Sequence, residues 1–256
     1  MKYRDNINYV LFLVSVLFLT LTSDAQSISH GDNRAKVLNN LGVDYFVQGK
    51  DDEAIASLKS SIEIDPKLER AYYNLASVYS RLGRNTEAVV LLKTAVGLDP
   101  RHVEAHARLC DSYLTLNQYE NAISCYEVLI PLTPRDARSH SNYGVALMHA
   151  NRHKEAIAAL ETAVRLNPKD VENLNNLGVA YLNVKDDLRA IDAFRQVLLI
   201  DPGSEPTRYN LAIAELARGN RSAAIDQYSF LKAANGDLAR HLFDAIYKGN
   251  VVDINK

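Results

Sequence analysis

A chain of 256 residues holds one large domain or two small ones, and 47% hydrophobic against 23% charged residues is ordinary for a folded protein. The formal charge of -2 and the pI near 6.4 lack the basic excess that draws a domain to phosphate backbones, so nucleic acid is excluded as the expected partner.

The first 25 residues differ in kind from the rest. Lys2 and Arg4 open them, an apolar run goes from Val10 to Leu19, and Ser23-Asp24-Ala25 places small residues before a cut. This is the pattern of a secretory signal peptide cleaved after Ala25. An uncleaved anchor is the other reading, but even Val10 to Leu21 is shorter than the roughly 20 apolar residues of a spanning helix. There is no cysteine at the cut to carry a lipid. The expectation is an exported protein, periplasmic or secreted, with no stable membrane insertion after cleavage. Residues 26–34 form a short polar lead-in.

From residue 35 onward one period governs the chain. Pro66, Pro100, Pro134, Pro168 and Pro202 follow each other at 34 residues, the period of a helix-turn-helix repeat. The same step places Ala54, Ala88, Ala122, Ala156, Ala190 and Ala224 in one column, and Gly42, Ala76, Cys110, Gly144, Gly178 and Ala212 in another. Leu41, Leu75, Leu109, Tyr143, Leu177 and Leu211 stand just before the second column; Tyr45, Tyr79, Tyr113, Leu147, Tyr181 and Glu215 stand three residues after it. Two helices approach closely only where facing side chains are small, so the small columns read as contact points and the Leu and Tyr columns as core. Each proline removes a backbone donor and ends the second helix of its unit. Short polar turns join the helices within a unit, Gln48-Gly49-Lys50, Leu82-Gly83-Arg84 and Arg218-Gly219-Asn220 being the clearest.

The six units are 35–68, 69–102, 103–136, 137–170, 171–204 and 205–238. Their pattern resembles the tetratricopeptide repeat family, with Leu177-Gly178, Tyr181, Ala190, Phe194 and Pro202 as the best copy. The resemblance implies an all-α fold: a right-handed α-solenoid of six 34-residue repeats. Repeat six has Glu215 where Tyr is usual and Gly236 where Pro is usual, as expected of a terminal unit released from stacking. Residues 237–249 read as an amphipathic capping helix with Leu238, Leu242, Phe243 and Ile246 on one face, stopped by Gly249, and 250–256 as a tail.

In this family the first helices line a concave face, which implies a row of Asn40, Asn74, Arg108, Asn142, Asn176 and Asn210 along a groove. Such a ladder resembles the repeat domain of the O-linked N-acetylglucosamine transferases, where it implies amides gripping the backbone of an extended peptide. A carboxamide both donates and accepts, so it matches a peptide bond without reading side chains. Beside it run Val145, Val179 and Ile213, then Met148, Leu182 and Leu216, suited to apolar side chains of the peptide. The plainer reading makes the asparagines filler between Leu-Gly and the preceding turn, and the apolar rows partly buried. Asn39 and Asn40 stand where cytosolic chaperone adaptors offer lysine, so carboxylate recognition of that type is not expected.

Cys110 and Cys125 fall on adjacent helices of repeat three, which admits a disulfide or a pair of buried thiols. His102 and His106 are four apart, but not in zinc-protease order, and no phosphate loop or nucleophile elbow is present. The sequence thus predicts no enzyme, no metal and no cofactor, but an exported scaffold that binds an extended peptide or helix of another protein. Two rivals are a subunit presenting substrates to an enzyme on another chain and a pilotin-like assembly factor for an outer-membrane complex. Oligomeric state is left open.

Overall fold

The computed structural model describes residues 33–234 and 236–248, and every regular element within them is a helix. The signal segment, all but the last two residues of the lead-in, Gly249 and the tail lie outside the described residues. The helices are α1 (33–47), α2 (Asp51–Ile64), α3 (Glu69–Arg81), α4 (Asn85–Leu98), α5 (Val103–Thr115), α6 (Tyr119–Leu132), α7 (Ala137–His149), α8 (His153–Leu166), α9 (Val171–Asn183), α10 (Asp187–Ile200), α11 (Glu205–Ala217), α12 (Arg221–Ala234) and α13 (Gly236–Lys248).

The chain forms two compact units, one ending at Ser112 and the other beginning at Tyr113. In the first, α2 packs on α3 and α3 on α4. In the second, each helix from α6 to α13 packs on the next, and α7 touches α9, α9 touches α11, and α11 touches α13. That alternate contact is what a stack of hairpins requires.

The columns have direct physical counterparts. All six alanines from Ala54 to Ala224 are fully buried. A Cβ on Gly42 or Gly144 would meet Leu58 Cγ at 2.5 Å or Leu160 Cγ at 2.6 Å, so the small residue is the seat of a large one 16 residues later. The Leu column is core with two exceptions. Leu41, on α1, is 38% exposed, and Tyr143 is only half-buried, its hydroxyl 3.5 Å from Glu127.

Six turns close the hairpins with one geometry. The positions 49, 83, 117, 151, 185 and 219 all have φ between 55° and 77°, filled by Gly49, Gly83, Asn117, Asn151, Lys185 and Gly219. The next residue's N–H reaches back five residues, as in Lys50 N to Tyr45 O at 2.9 Å and Asp186 N to Tyr181 O at 2.9 Å. Glycine and asparagine suit this left-handed backbone, whereas lysine brings a Cβ that crowds it. Lys185→Gly is therefore expected to stabilise the protein by about 0.5–1 kcal/mol, read as a higher urea midpoint with an unchanged slope.

Between repeats, Asp65, Asp99 and Asp201 accept from the N–H two residues on at 2.9, 3.0 and 3.1 Å. The carbonyls of Pro66, Pro100, Pro134 and Pro202 each take a side-chain bond from six residues later: Tyr72, His106, His140 and Arg208. Asp136 and Asp170 cap α7 and α9. In α13, Leu242 and Ile246 join a buried cluster with Tyr209, Ala212, Ala224 and Leu231. Phe243 departs from the expected apolar face: it lies exposed between Tyr228 and Tyr247, ring centroids 6.0 and 4.6 Å away, and Ala239 and Ala245 take the buried places.

Candidate partner-binding surface

The first unit carries a cleft of about 240 Å³ lined by Val43, Phe46, Val47, Leu58, Tyr73, Asn74, Ser77 and Arg108. Asn74 and Arg108 come from the expected ladder. Asn74 Nδ2 donates to Asn39 Oδ1 at 2.8 Å, and Asn39 Nδ2 donates to Asn40 Oδ1 at 3.3 Å, so these amides are tied together inside the protein. Arg108 lies over the Tyr73 ring at 5.4 Å and reaches its hydroxyl at 3.4 Å. Arg81 stacks on Phe46 at 3.7 Å and donates to its carbonyl at 2.7 Å. Val47 is 79% exposed at the cleft edge. The result is an apolar recess with amide and guanidinium groups at its rim.

Val43 and Phe46 occupy the same repeat places as Val145 and Met148, 102 residues earlier. The apolar rows thus begin in repeat one, a continuation that the columns alone do not reveal. Ser77, Asp111 and Ser80 interrupt the rows and hide it.

In the second unit Asn142 lines a larger, polar cleft of about 560 Å³ with Asp136, Arg138, Ser141, Asn167, Asp170 and Asn173. Asn176 is half-buried, and Asn210 is only 5% exposed. Asn210 therefore does not stand open along a groove; its helix α11 packs against α9, α10, α12 and α13. The apolar rows are half-buried too. Met148, Val179 and Leu182 pack against the cluster around Phe194, and Ile213 and Leu216 against the cluster around Tyr209 and Leu242; Val145 is half-buried as well. Packing neighbours hold much of the surface that these rows were expected to offer a peptide.

Glu215, an irregularity of the terminal repeat by sequence, is 2% exposed and fully bonded. It accepts from Arg195 Nη2 and Asn220 Nδ2, both at 2.9 Å. One repeat earlier the same two places hold Tyr181 and Glu161, with the tyrosine hydroxyl donating at 2.7 Å. Burial first, and the bond to Glu161 second, push that phenol up to about 12.

Cys110 and Cys125 are both buried and both disulfide-bonded, and no free cysteine remains.

These features define a class of protein: a helical-hairpin repeat scaffold, whose members bind partners across extended surfaces. Family profiles described as TPR repeat match residues 42–83, and profiles described as tetratricopeptide repeat match 69–102, 109–171 and 144–205. The chain belongs to the tetratricopeptide repeat family. Among solved structures it is similar to MamA 41-end from Desulfovibrio magneticus RS-1 (24% identity, 67% of this chain and 97% of that one, TM-score 0.63). It is also similar to YrrB, described as a TPR protein with an unusual peptide-binding site (23% identity, 73% and 97%, TM-score 0.65), and to Pseudomonas aeruginosa PilF (18%, 84% and 99%, TM-score 0.66). At these identities the likeness is one of fold. No curated protein sequence matches the chain significantly.

Proposed function

We propose that the protein is an exported interaction scaffold that seats an extended segment or helix of a partner protein, with the cleft of the first unit as its main anchor point. The cleft carries this reading: Val43, Phe46 and the exposed Val47 offer apolar contact, while the Arg108 guanidinium presents donors to backbone carbonyls or a carboxylate. The peptide-binding site of YrrB, a protein of the same fold, lends support by analogy. Export is supported by the signal-like start and by the disulfide-bonded cysteines, which suit an oxidising compartment. Among the described residues no helix is long and apolar enough to cross a membrane. Protein from its native source is expected to have a non-reduced intact mass lacking residues 1–25 and two hydrogens; an intact N-terminus would overturn cleavage after Ala25, and two free thiols would overturn the disulfide.

The binding reading is tested by affinity capture from the native envelope or secreted fraction with the parent chain, Val47→Asp and Arg108→Ala. Val47 is so exposed that its change leaves folding intact. Partners lost from both variants are the expected result, and unchanged partners would remove the cleft from consideration. Recovery of an enzyme would favour the substrate-presenting rival, and recovery of a membrane ring subunit the pilotin-like one.

A further inference from the structure

Glu69 opens α3, Asp99 ends α4, and His102 stands just before α5, all within the first unit. One ligand atom from each lies within 4.8 Å of the others. A tetrahedral zinc ion with bonds of about 2.0–2.1 Å holds its ligand atoms about 3.4 Å apart, so closure needs shifts on the order of an ångström.

The histidine supplies the second observation. The His102 side chain is 14% exposed, and its Nδ1 is buried without a hydrogen-bond partner. Such an atom costs free energy unless something outside the protein satisfies it. His153 and His241 also have unpartnered Nδ1 atoms, so the orphan nitrogen alone signals nothing; at His102 two carboxylates converge on the same ring. The ring is held by Tyr73, centroids 4.9 Å apart, and its Nε2 faces the Glu104 carboxylate at 3.8 Å. The position is otherwise a helix cap: Asp136 and Asp170 fill it in later repeats and bond the helix N–H groups. The competing contacts are weak, since the Arg70–Glu69 pair is 3.5 Å long with Arg70 exposed, and Asp99 bonds Arg101 N through Oδ1 alone.

We propose that Glu69, Asp99 and a ring nitrogen of His102 bind a zinc ion, with water as fourth ligand. One nitrogen with two carboxylates suits zinc better than calcium or magnesium, which take oxygen ligands. The ion ties the start of α3 to the α4–α5 turn, and through Tyr73 it stiffens one wall of the cleft.

The test is calorimetric titration of the chelator-stripped full chain with Zn²⁺, paired with thermal melts. One ion per chain and a zinc-dependent rise in melting temperature are expected. His102→Leu restores the residue type that repeat one has at Leu68, so its metal-free melt stays near the parent's while zinc affinity falls by more than about 100-fold. If His102→Leu fails to fold, Asp99→Asn, which keeps the turn's shape, gives the same reading. A parent that takes up no zinc, or a folded ligand variant that binds it as tightly, overturns the proposal.

Discussion

Truncating Phe194 to alanine is expected to lower stability by about 4 kcal/mol in equilibrium urea denaturation. Phe194 is fully buried among Leu160, Leu177, Tyr181, Ile191 and Leu211, and its ring rests on the bare backbone of Gly178. A Cβ at Gly178 would lie 2.5 Å from Cε1 and 2.8 Å from Cδ1 and Cζ, and a planar ring fixed on all sides has little freedom to retreat. Gly178→Ala should therefore cost about 2–3 kcal/mol on its own. The chain itself contains the compensated pair, because the same two places in repeat two hold Ala76 and Leu92, both buried. Gly178→Ala with Phe194→Leu is expected to be at least about 1 kcal/mol more stable than the sum of the two single changes allows. Simple additivity would show that the two columns do not set each other's size.

How much of this was legible follows from what the period can carry. Columns of one residue type, such as the six alanines, announce themselves and proved fully buried. The left-handed turn position was visible only where glycine filled it; Asn117, Asn151 and Lys185 share its backbone but not its composition. A column says nothing of the neighbours at a row's end: Leu41 is 38% exposed, and Asn210 lies on α11, packed on several sides. The Asn74–Asn39 bond spans 35 residues, one off the period, so reading down a column never pairs the two. That bond also changes the meaning of the ladder, since an amide already bonded inside the protein is less available to a peptide. The grouping of Glu69, Asp99 and His102 is hidden for a similar reason, being drawn from a helix start, a helix end and a cap that belong to three different columns.

The exchange at Glu215 predicts a second large effect. Glu215→Ala is expected to cost about 3 kcal/mol. Arg195 is 60% exposed, so the ion pair itself contributes less than about 1 kcal/mol. The remainder comes from the volume of a buried side chain and from the Asn220 amide left without its acceptor, which loosens the turn that Asn220 N closes on Glu215 O at 2.8 Å. If the places occupied by Tyr181 and Glu161 are interchangeable with those of Glu215 and Arg195, the roles of donor and acceptor can be reversed. Arg195→Glu alone sets a second carboxylate against Glu215 and should destabilise by about 1 kcal/mol or more, and Glu215→Tyr alone should also destabilise. Together they rebuild the Tyr181–Glu161 bond one repeat later, with an expected coupling of about 1–2 kcal/mol in a double-mutant cycle. A coupling near zero would mean that Glu215 is held by its own local turn, and that the two repeats reach similar burial by unrelated means.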